Sequence, residues 1–371
     1  MQASDLSVLT FQVLCAAFSV SLAFGLIAQR THFCTMGAIS DVFNFSDWTR
    51  MRQWGLAVGV AMIGFSVMAY AGWIDPGKSI YATTRWLWLS ALTGGAFFGF
   101  GMVLGSGCGS KTLVRIGSGN LKSVVVFLVM GVAAFATLKG MTAVLRVATV
   151  ERVSLDFSSG TTLTAWVANA LDVPATLAGL VLSLMIGGGL ILWAFLGREF
   201  LRFDNLLAGL GIGASVVAMW WVSGVLGHVM EHPETLQEAF LGTNSGRMEA
   251  MTFTAPMAYT LDWIIFFSDQ SKVLTLAVVS VLGVIVGSAA SALVSRTFRW
   301  EGFGGTEDLA NHLVGATLMG VGGVTAMGCT VGQGLSGVST LSASSFVAVA
   351  GIMVGAVTAL KFQSWRLERL A

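Results

Sequence analysis

The sequence predicts an all-α polytopic membrane protein that forms a single transmembrane domain over residues 1–371. About nine transmembrane helices and re-entrant half-helices are expected in an inverted, pseudo-two-fold repeat. Three observations predict this fold. Charged residues are scarce, long apolar runs recur along the chain, and two glycine-rich stretches that each end in Gly-Cys match each other at one fixed offset.

The composition indicates a membrane protein. Of the 371 residues, 55% are hydrophobic and only 11% are charged, whereas soluble domains carry about 25% charged residues. A helix needs about 20 apolar residues to cross the hydrocarbon core. The spans that we predict from this length lie near 7–28, 52–74, 87–106, 122–147, 173–197, 205–225, 272–295, 312–328 and 343–361. The first run is not a convincing signal peptide, because Asp5 is the only charge before it and no basic segment precedes it.

The distribution of cations predicts the orientation. If the N-terminus lies outside and the runs alternate, twelve cations fall on the inner side and four in outer loops, with four more inside or at the edge of runs. The inner cations are Arg30, Arg50, Arg52, Lys111, Arg115, Arg198, Arg202, Arg296, Arg299, Lys361, Arg366 and Arg369. The outer cations are Lys78, Arg85, Arg152 and Arg247. The positive-inside rule therefore favours an external N-terminus and a cytoplasmic C-terminus.

Two stretches of the chain indicate an internal repeat. GGAFFGFGMVLGSGC at 94–108 and GATLMGVGGVTAMGC at 315–329 share five glycine or valine positions and a final cysteine. They end the third and eighth runs, an odd number of spans apart, so the copies are expected to point in opposite directions. Inverted repeats are typical of transporters, and we expect pseudo-repeats of about 1–150 and 173–371. Helix packing by small residues explains most of the 46 glycines, but it does not explain the shared Gly-Cys.

Three of the four cysteines lie where an apolar run breaks. Cys34 lies in RTHFCTMGAISD, Cys108 in GSGCGSKTLVRIGSGN and Cys329 in MGCTVGQGLSGVSTLS, whereas Cys15 lies inside the first run and is interpreted as a packing residue. Non-helical backbone is tolerated at membrane depth only inside protein or along a cavity. We therefore predict three re-entrant loops, each leading into a short half-helix.

The stretch GSGCGSKT at 105–112 is close to a phosphate-binding loop but lacks one requirement. That motif, G-x-x-x-x-G-K-[ST], needs glycine directly before the lysine, and Ser110 stands there instead. Because the stretch follows a membrane span and recurs as a second cysteine loop, a nucleotide site is not predicted. Lys111 and Arg115 are interpreted as cations at the inner mouth of a pathway, with positive-inside anchoring as the alternative.

Thiols in an apolar setting suit weak binding of an anion. A thiol away from water and cations stays neutral, and a neutral S–H is a weak, polarisable donor. Half-helix N-termini add backbone N–H groups and partial positive charge, so a small, soft anion would be held loosely enough to be released. No two cysteines stand at metal-ligand spacing, so neither a metal nor another cofactor is predicted. No base is evident beside Cys108 or Cys329 for nucleophilic catalysis, and a disulfide is left open.

These motifs resemble the YeeE/YedE family of bacterial sulfur-compound transporters, over nearly the whole chain. One match is F-C-x-x-G-A at 33–38, and a second is G-C followed by R-x-G-x-G within 107–119. The third is G-C-T-x-G-Q-G-L-S-G at 328–337, and TFTAP at 252–256 is similar to that family's late loop. The resemblance implies thiosulfate uptake and nine membrane-spanning helices with short half-helices. It also implies a cytoplasmic partner, a small sulfur-carrier protein of the TusA type.

The resemblance also implies that the three motif cysteines contact the passing ion. The substrate pathway that we predict comprises Cys34, Cys108, Cys329, Lys111, Arg115, Gly107, Gly328, Thr330 and Gln333. Lys111 departs from the family pattern, in which glycine is usual three residues after the second motif cysteine. An added cation suits an anion, and it can also change which anion is carried.

The predicted function is that of an inner-membrane permease for uptake of thiosulfate or a closely related sulfur-containing anion, and not of an enzyme. Three alternatives stay open: transport of another sulfur or selenium species, covalent persulfide transfer by the cysteines, and a structural membrane subunit that needs a partner. No nucleic-acid partner is predicted and no ATP site is visible. The sequence leaves the energy coupling and the oligomeric state undetermined.

Overall fold

The computed structural model describes residues 3–233 and 235–370, and the protein is 73% helical. The α-helices are α1 (Ala3–Thr31), α2 (Thr35–Phe45), α3 (Thr49–Tyr70), α4 (Trp88–Leu104), α5 (Gly109–Gly117), α6 (Leu121–Lys139), α7 (Met141–Ala148), α8 (Leu163–Leu171), α9 (Ala175–Phe195), α10 (Phe203–Trp221), α11 (Thr254–Ile265), α12 (Leu276–Val294), α13 (Thr306–Thr325) and α14 (Ala343–Leu370). Two π-helical segments are Val222–Leu226 and Gly332–Gly337. Short antiparallel pairs join β1 (Arg85–Trp86) to β2 (Leu155–Asp156) and β3 (His228–Val229) to β4 (Ala239–Phe240).

Eight helical segments in the described part of the chain are long and apolar enough to cross a membrane. Two of them join a long helix to the half-helix that follows, α1 with α2 and α4 with α5. The predicted all-α polytopic fold is thus confirmed. The run predicted at 312–328 corresponds to α13, which is 20 residues long but is not among the eight. Glu307 and Asp308 in its first turn, together with its glycines, lower its hydropathy.

Several elements depart from the predicted runs. The run at 122–147 is two helices, because the backbone is extended at Gly140 between α6 and α7. Helix α11 is absent from the predicted spans, since its 12 residues are too few to cross a membrane. It begins inside TFTAP, directly after Phe253. Helix α8 likewise lies between two predicted runs.

Helices α4 and α13 cross at the glycines of the predicted repeat. A Cβ on Gly101 would lie 2.6 Å from the carbonyl oxygen of Gly315, and a Cβ on Gly315 would lie 2.6 Å from that of Gly101. Gly94 and Gly322 make the same reciprocal contact, at 2.7 Å and 2.6 Å. Larger residues cannot approach so closely, so these glycines permit backbone contact of the kind found between membrane helices. Two of the cysteine loops therefore start from adjoining helices.

The remaining long helices pack around this pair. Helix α4 also packs against α14, and α13 also packs against α6. Helix α1 packs against α12 and α10, while α10 also packs against α3. Helix α9 packs against α3 and the short α8. The largest buried apolar cluster extends through these contacts and contains Cys108 and Cys329, so both sulfurs lie in the protein interior.

Candidate functional site

Each of the three motif cysteines lies at the start of a half-helix. Cys34 is the N-cap of α2, and its sulfur accepts the Gly37 N–H at 3.4 Å. Cys108 is the N-cap of α5, and its sulfur lies 3.2 Å from the Ser110 hydroxyl. Cys329 directly precedes the helical segment that contains Gly332–Gly337, and its sulfur accepts the Gly332 N–H at 3.4 Å. All three side chains therefore lie at the end of a helix that carries partial positive charge.

The backbone before each cysteine has the same unusual conformation. The residue two positions earlier is left-handed in all three loops: His32 has φ 53°, Ser106 has φ 56° and Met327 has φ 58°. A non-glycine residue in this region costs about 1–2 kcal/mol. In two of the loops it ends the preceding helix, and the next N–H, of Gly107 or Gly328, closes the last turn of α4 or α13 at 2.9 Å and 2.7 Å. The regular helix thus ends just before each sulfur.

The three sulfurs lie in the protein interior, and Cys329 is near enough to Cys108 to interact with it electrostatically. Cys108 and Cys329 are fully buried and Cys34 is 9% exposed. The side chains of Cys34 and Cys108 lie within hydrogen-bonding reach of each other, and the Thr330 side chain lies beside Cys108. Cys15, in contrast, is exposed on α1, and all four cysteines are free thiols.

Cations surround the Cys34 and Cys108 end of this cluster. Lys111 is half-buried and lies near enough to both thiols to interact with them electrostatically. Arg115 donates from Nη1 to the Ser106 carbonyl oxygen at 2.8 Å. Arg50 lies against the start of α2, since a Cβ on Gly37 would be 2.6 Å from its Nη1. The same end therefore combines two thiols with nearby cationic side chains.

The Cys329 half-helix is held by buried hydrogen bonds from several elements. Tyr81 donates its hydroxyl to the Gly332 carbonyl oxygen at 2.6 Å, and Trp220 donates to the Ser339 hydroxyl at 3.0 Å. Ser336 donates to the Met251 carbonyl oxygen at 2.6 Å. A π-helical segment inside a helix is often found at a functional site, and these bonds fix its position.

The predicted residues Thr330 and Gln333 leave hydrogen-bonding groups unused. Both residues are 1% exposed. Gln333 donates its amide to the Ala326 carbonyl oxygen, but its Oε1 and the Thr330 hydroxyl have no partner among the described residues. Gly328 lies close to Gln333, because a Cβ added to Gly328 would be 3.2 Å from the Gln333 Cγ. Gly107 lies equally close to Lys111, because a Cβ added to Gly107 would be 3.2 Å from the Lys111 Cγ. A buried hydroxyl without a partner is costly unless a ligand or water satisfies it.

A cavity of about 230 Å³ adjoins Cys329, and it is called the Glu249 cavity below. Its lining includes Glu249, Thr252 and Gly328, and the Thr252 hydroxyl lies 4.0 Å from the Cys329 sulfur. This volume is smaller than the about 300–1,000 Å³ of drug-sized pockets, so the cavity has room only for a small solute. Burial raises the pKa of Glu249 above the usual carboxyl value.

Sequence reasoning missed four residues of this site: Tyr81, Arg50, Glu249 and Thr252. Thr252 belongs to the TFTAP stretch. That stretch is similar to a loop of the family, but the similarity did not assign any of its residues to the pathway. Arg50 counts among the inner cations predicted from the sequence, but it was given no place in the pathway. Tyr81 and Glu249 are single residues in loops, and no local pattern distinguishes them. No group of three or more His, Cys, Asp or Glu within the described residues is arranged to hold a metal.

Comparisons with known proteins identify the family of this chain. A family model described as "Sulphur transport" matches residues 30–358. The chain is 26% identical over 358 residues to "Thiosulfate transporter TsuA" of Escherichia coli, with 94% of each chain covered. It is also 26% identical over 345 residues to "Thiosulfate transporter TsuA" of Spirochaeta thermophila, covering 91% of this chain and 94% of that protein. Because the family model spans most of its length, the chain belongs to the YeeE/YedE family of sulfur-transport proteins.

Proposed function

We propose that this protein is an inner-membrane permease that takes up thiosulfate or a closely related sulfur-containing anion along neutral cysteine thiols. The observation that carries the proposal is the burial of three free thiols together, each at the start of a half-helix. Both relatives named above are thiosulfate transporters. A passing anion can accept S–H and backbone N–H hydrogen bonds without being held tightly.

The pathway that we propose runs from the Glu249 cavity to the cations around Lys111. An anion meets Thr252 and Cys329 first, next the unpartnered Thr330 hydroxyl beside Cys108, and last Cys34. Thiosulfate carries two negative charges. Entry against a negative-inside potential costs about 2.3 kcal/mol per charge per 100 mV, so the cations at the far end offset part of an unfavourable step.

The proposed pathway follows an inverted, pseudo-two-fold repeat. In this repeat α1, α3, α4 and α6 correspond to α10, α12, α13 and α14. The packing of α4 on α14 then has its counterpart in the packing of α13 on α6, and the packing of α1 on α12 has its counterpart in the packing of α10 on α3. The left-handed residue before Cys108 recurs before Cys329. On this basis the repeats comprise α1–α6 and α10–α14, with α7–α9 between them. These limits lie within the ranges about 1–150 and 173–371 expected from the sequence.

We propose that the N-terminus lies outside and the C-terminus in the cytoplasm, as the positive-inside rule favours. The Glu249 cavity then opens outward and Lys111 lies on the cytoplasmic side. A TusA-type carrier protein would receive the sulfur there. Lys111, where the family usually has glycine, would favour anions and set which sulfur or selenium species is carried.

Uptake of radiolabelled thiosulfate by the full-length protein in phospholipid vesicles tests this proposal. Serine at Cys34, Cys108 or Cys329 keeps a donor but shortens its reach, so we expect each variant to lose uptake partly. Cys15→Ser is the matched control and keeps wild-type uptake, because Cys15 is exposed on α1. Wild-type uptake in all three variants would refute a pathway along the thiols. A persulfide trapped on Cys34 during uptake would instead favour covalent sulfur transfer.

A further inference from the structure

The Glu249 cavity places an acidic side chain on the proposed path of the anion. Glu249 lines the cavity together with Thr252 and Gly328, which separate it from Cys329. An ionised carboxylate there would repel a dianion that approaches the sulfur. The repulsion is strong because charges inside protein are screened less than charges in water. The side chain therefore opposes the proposed transport unless its charge is removed.

Among the described residues, no cation pairs with the Glu249 carboxylate. The carboxylate accepts hydrogen bonds from the Ser245 N–H, at 2.7 Å to Oε1, from the Ser245 hydroxyl and from the Asn244 N–H. These donors favour the carboxylate, but burial has the larger effect on its pKa. Arg146 lines the same cavity but pairs with Glu151, at 3.2 Å. Since burial without a counter-ion favours the neutral acid, Glu249 takes up a proton more readily than an exposed carboxylate does.

The other titratable groups facing this cavity keep a constant charge near neutral pH. Tyr81, from the loop after α3, and Tyr259, on α11, are neutral phenols whose pKa is raised by burial. The lining also includes Arg146, on α7, and a guanidinium is not deprotonated in proteins. The residues that α12 and α13 contribute to the lining are Ala277, Gly323 and Val324, which do not titrate. Glu249 is therefore the described lining residue whose charge changes with pH.

We propose that Glu249 is a proton-binding site at the mouth of the pathway and that only its protonated form admits the anion to Cys329. This inference rests on the proposed function. It assigns the cavity two ligands, a proton on Glu249 and a sulfur anion next to Thr252. Protonation removes one negative charge from the path and leaves a carboxylic acid O–H that can donate to the anion. Acidification on the cavity side then increases uptake.

Two measurements on the full-length protein in vesicles test this inference. The first is initial uptake of radiolabelled thiosulfate from mildly acidic to mildly alkaline pH, with equal pH on both sides and the potential clamped at zero. Thiosulfate stays a dianion over this range, so the profile reports the protein. The second is an infrared difference spectrum between acidic and alkaline samples, which detects the carbonyl band of a protonated carboxyl group without any transport.

We expect wild-type uptake to fall about tenfold per pH unit above the pKa of Glu249. Glu249→Gln should abolish that dependence and transport faster than wild type at alkaline pH, and it should lack the infrared band. Glu249→Asp should retain both. Glu238→Gln is the matched control, since Glu238 lies earlier in the same loop and pairs with Lys78, and it should keep the wild-type profile.

The outcomes separate this inference from the proposed function. An unchanged pH profile in Glu249→Gln would overturn the role of Glu249 in admitting the anion. An infrared band that survives in Glu249→Gln would overturn the proton site. If wild-type protein took up no thiosulfate at any pH, the proposed function and the admission of the anion would both fail. The infrared band would still decide whether Glu249 binds a proton.

Discussion

Alanine in place of Gly315 should disturb the cysteine loops from a distance. The added Cβ would lie 2.6 Å from both the Gly101 carbonyl oxygen and the Gly105 nitrogen, whereas ordinary van der Waals contact begins at 3.4 Å. The difference, 3.4 − 2.6, means that α4 and α13 must separate by about 0.8 Å at this point. Gly105 caps α4 and leads directly to Cys108, so the shift reaches the thiol.

The energy of this change follows from two opposing effects. Overpacking of a close contact costs about 1–3 kcal/mol, while alanine gains up to about 1 kcal/mol over glycine in helix propensity. We expect a net destabilisation of about 1–2 kcal/mol. We expect the variant to remain folded but to lose much of its uptake. The reason is that the shift moves the Cys108 thiol away from Cys34, so the anion can no longer pass from one thiol to the other.

A glycine with free space around it supplies the control. A Cβ on Gly188, within α9, would have no atom within 4 Å, so Gly188→Ala should unfold at the wild-type temperature or slightly above it. Tryptophan fluorescence during heating in detergent measures stability, and vesicle uptake measures function. If Gly315→Ala matched Gly188→Ala in both assays, the close crossing of α4 and α13 would not position Cys108.

Three further changes have expected outcomes. Lys111→Gln should raise the anion concentration needed for half-maximal uptake, most at low salt because salt screens charge, whereas Lys361→Gln on the exposed end of α14 should not. Tyr81→Phe leaves the buried Gly332 carbonyl without its donor, so thermal unfolding in detergent should report a loss of about 1–3 kcal/mol; unchanged stability would contradict that. Lys78 lowers the pKa of Glu238 by hydrogen bonding. The pair therefore stabilises the β3–β4 loop fully at pH values above the ordinary carboxyl pKa, and this stabilisation is lost as the pH falls through the lowered pKa of Glu238. Backbone hydrogen exchange in the β3–β4 loop should therefore increase as the pH falls through the lowered pKa of Glu238. Glu238→Gln is the control, because it lacks the titrating carboxyl and should show no such increase.

Local composition and the order of residues along the chain determined much of this protein. Scarce charges and long apolar runs predicted an all-α membrane protein. Within the bilayer every backbone N–H and C=O needs an internal partner, and a helix satisfies both within one segment. The breaks at Cys34, Cys108 and Cys329 predicted half-helices, and each cysteine lies at the start of one. The repeated glycines predicted close packing, which occurs between α4 and α13. The fold class and the half-helices depend on residues near one another in sequence, whereas the pairing of α4 with α13 joins stretches that lie far apart.

Tertiary structure alone decided which distant residues meet. Thr252 adjoins Cys329 and Tyr81 holds Gly332 because loops far apart in sequence converge on one half-helix. Glu249 became a candidate only when its carboxylate was found in a cavity without a cation partner. A sequence pattern records spacing within a helix, whereas burial and charge at a site depend on every element packed around it. For that reason the sequence indicated the thiols, and only the fold identified the acid beside them.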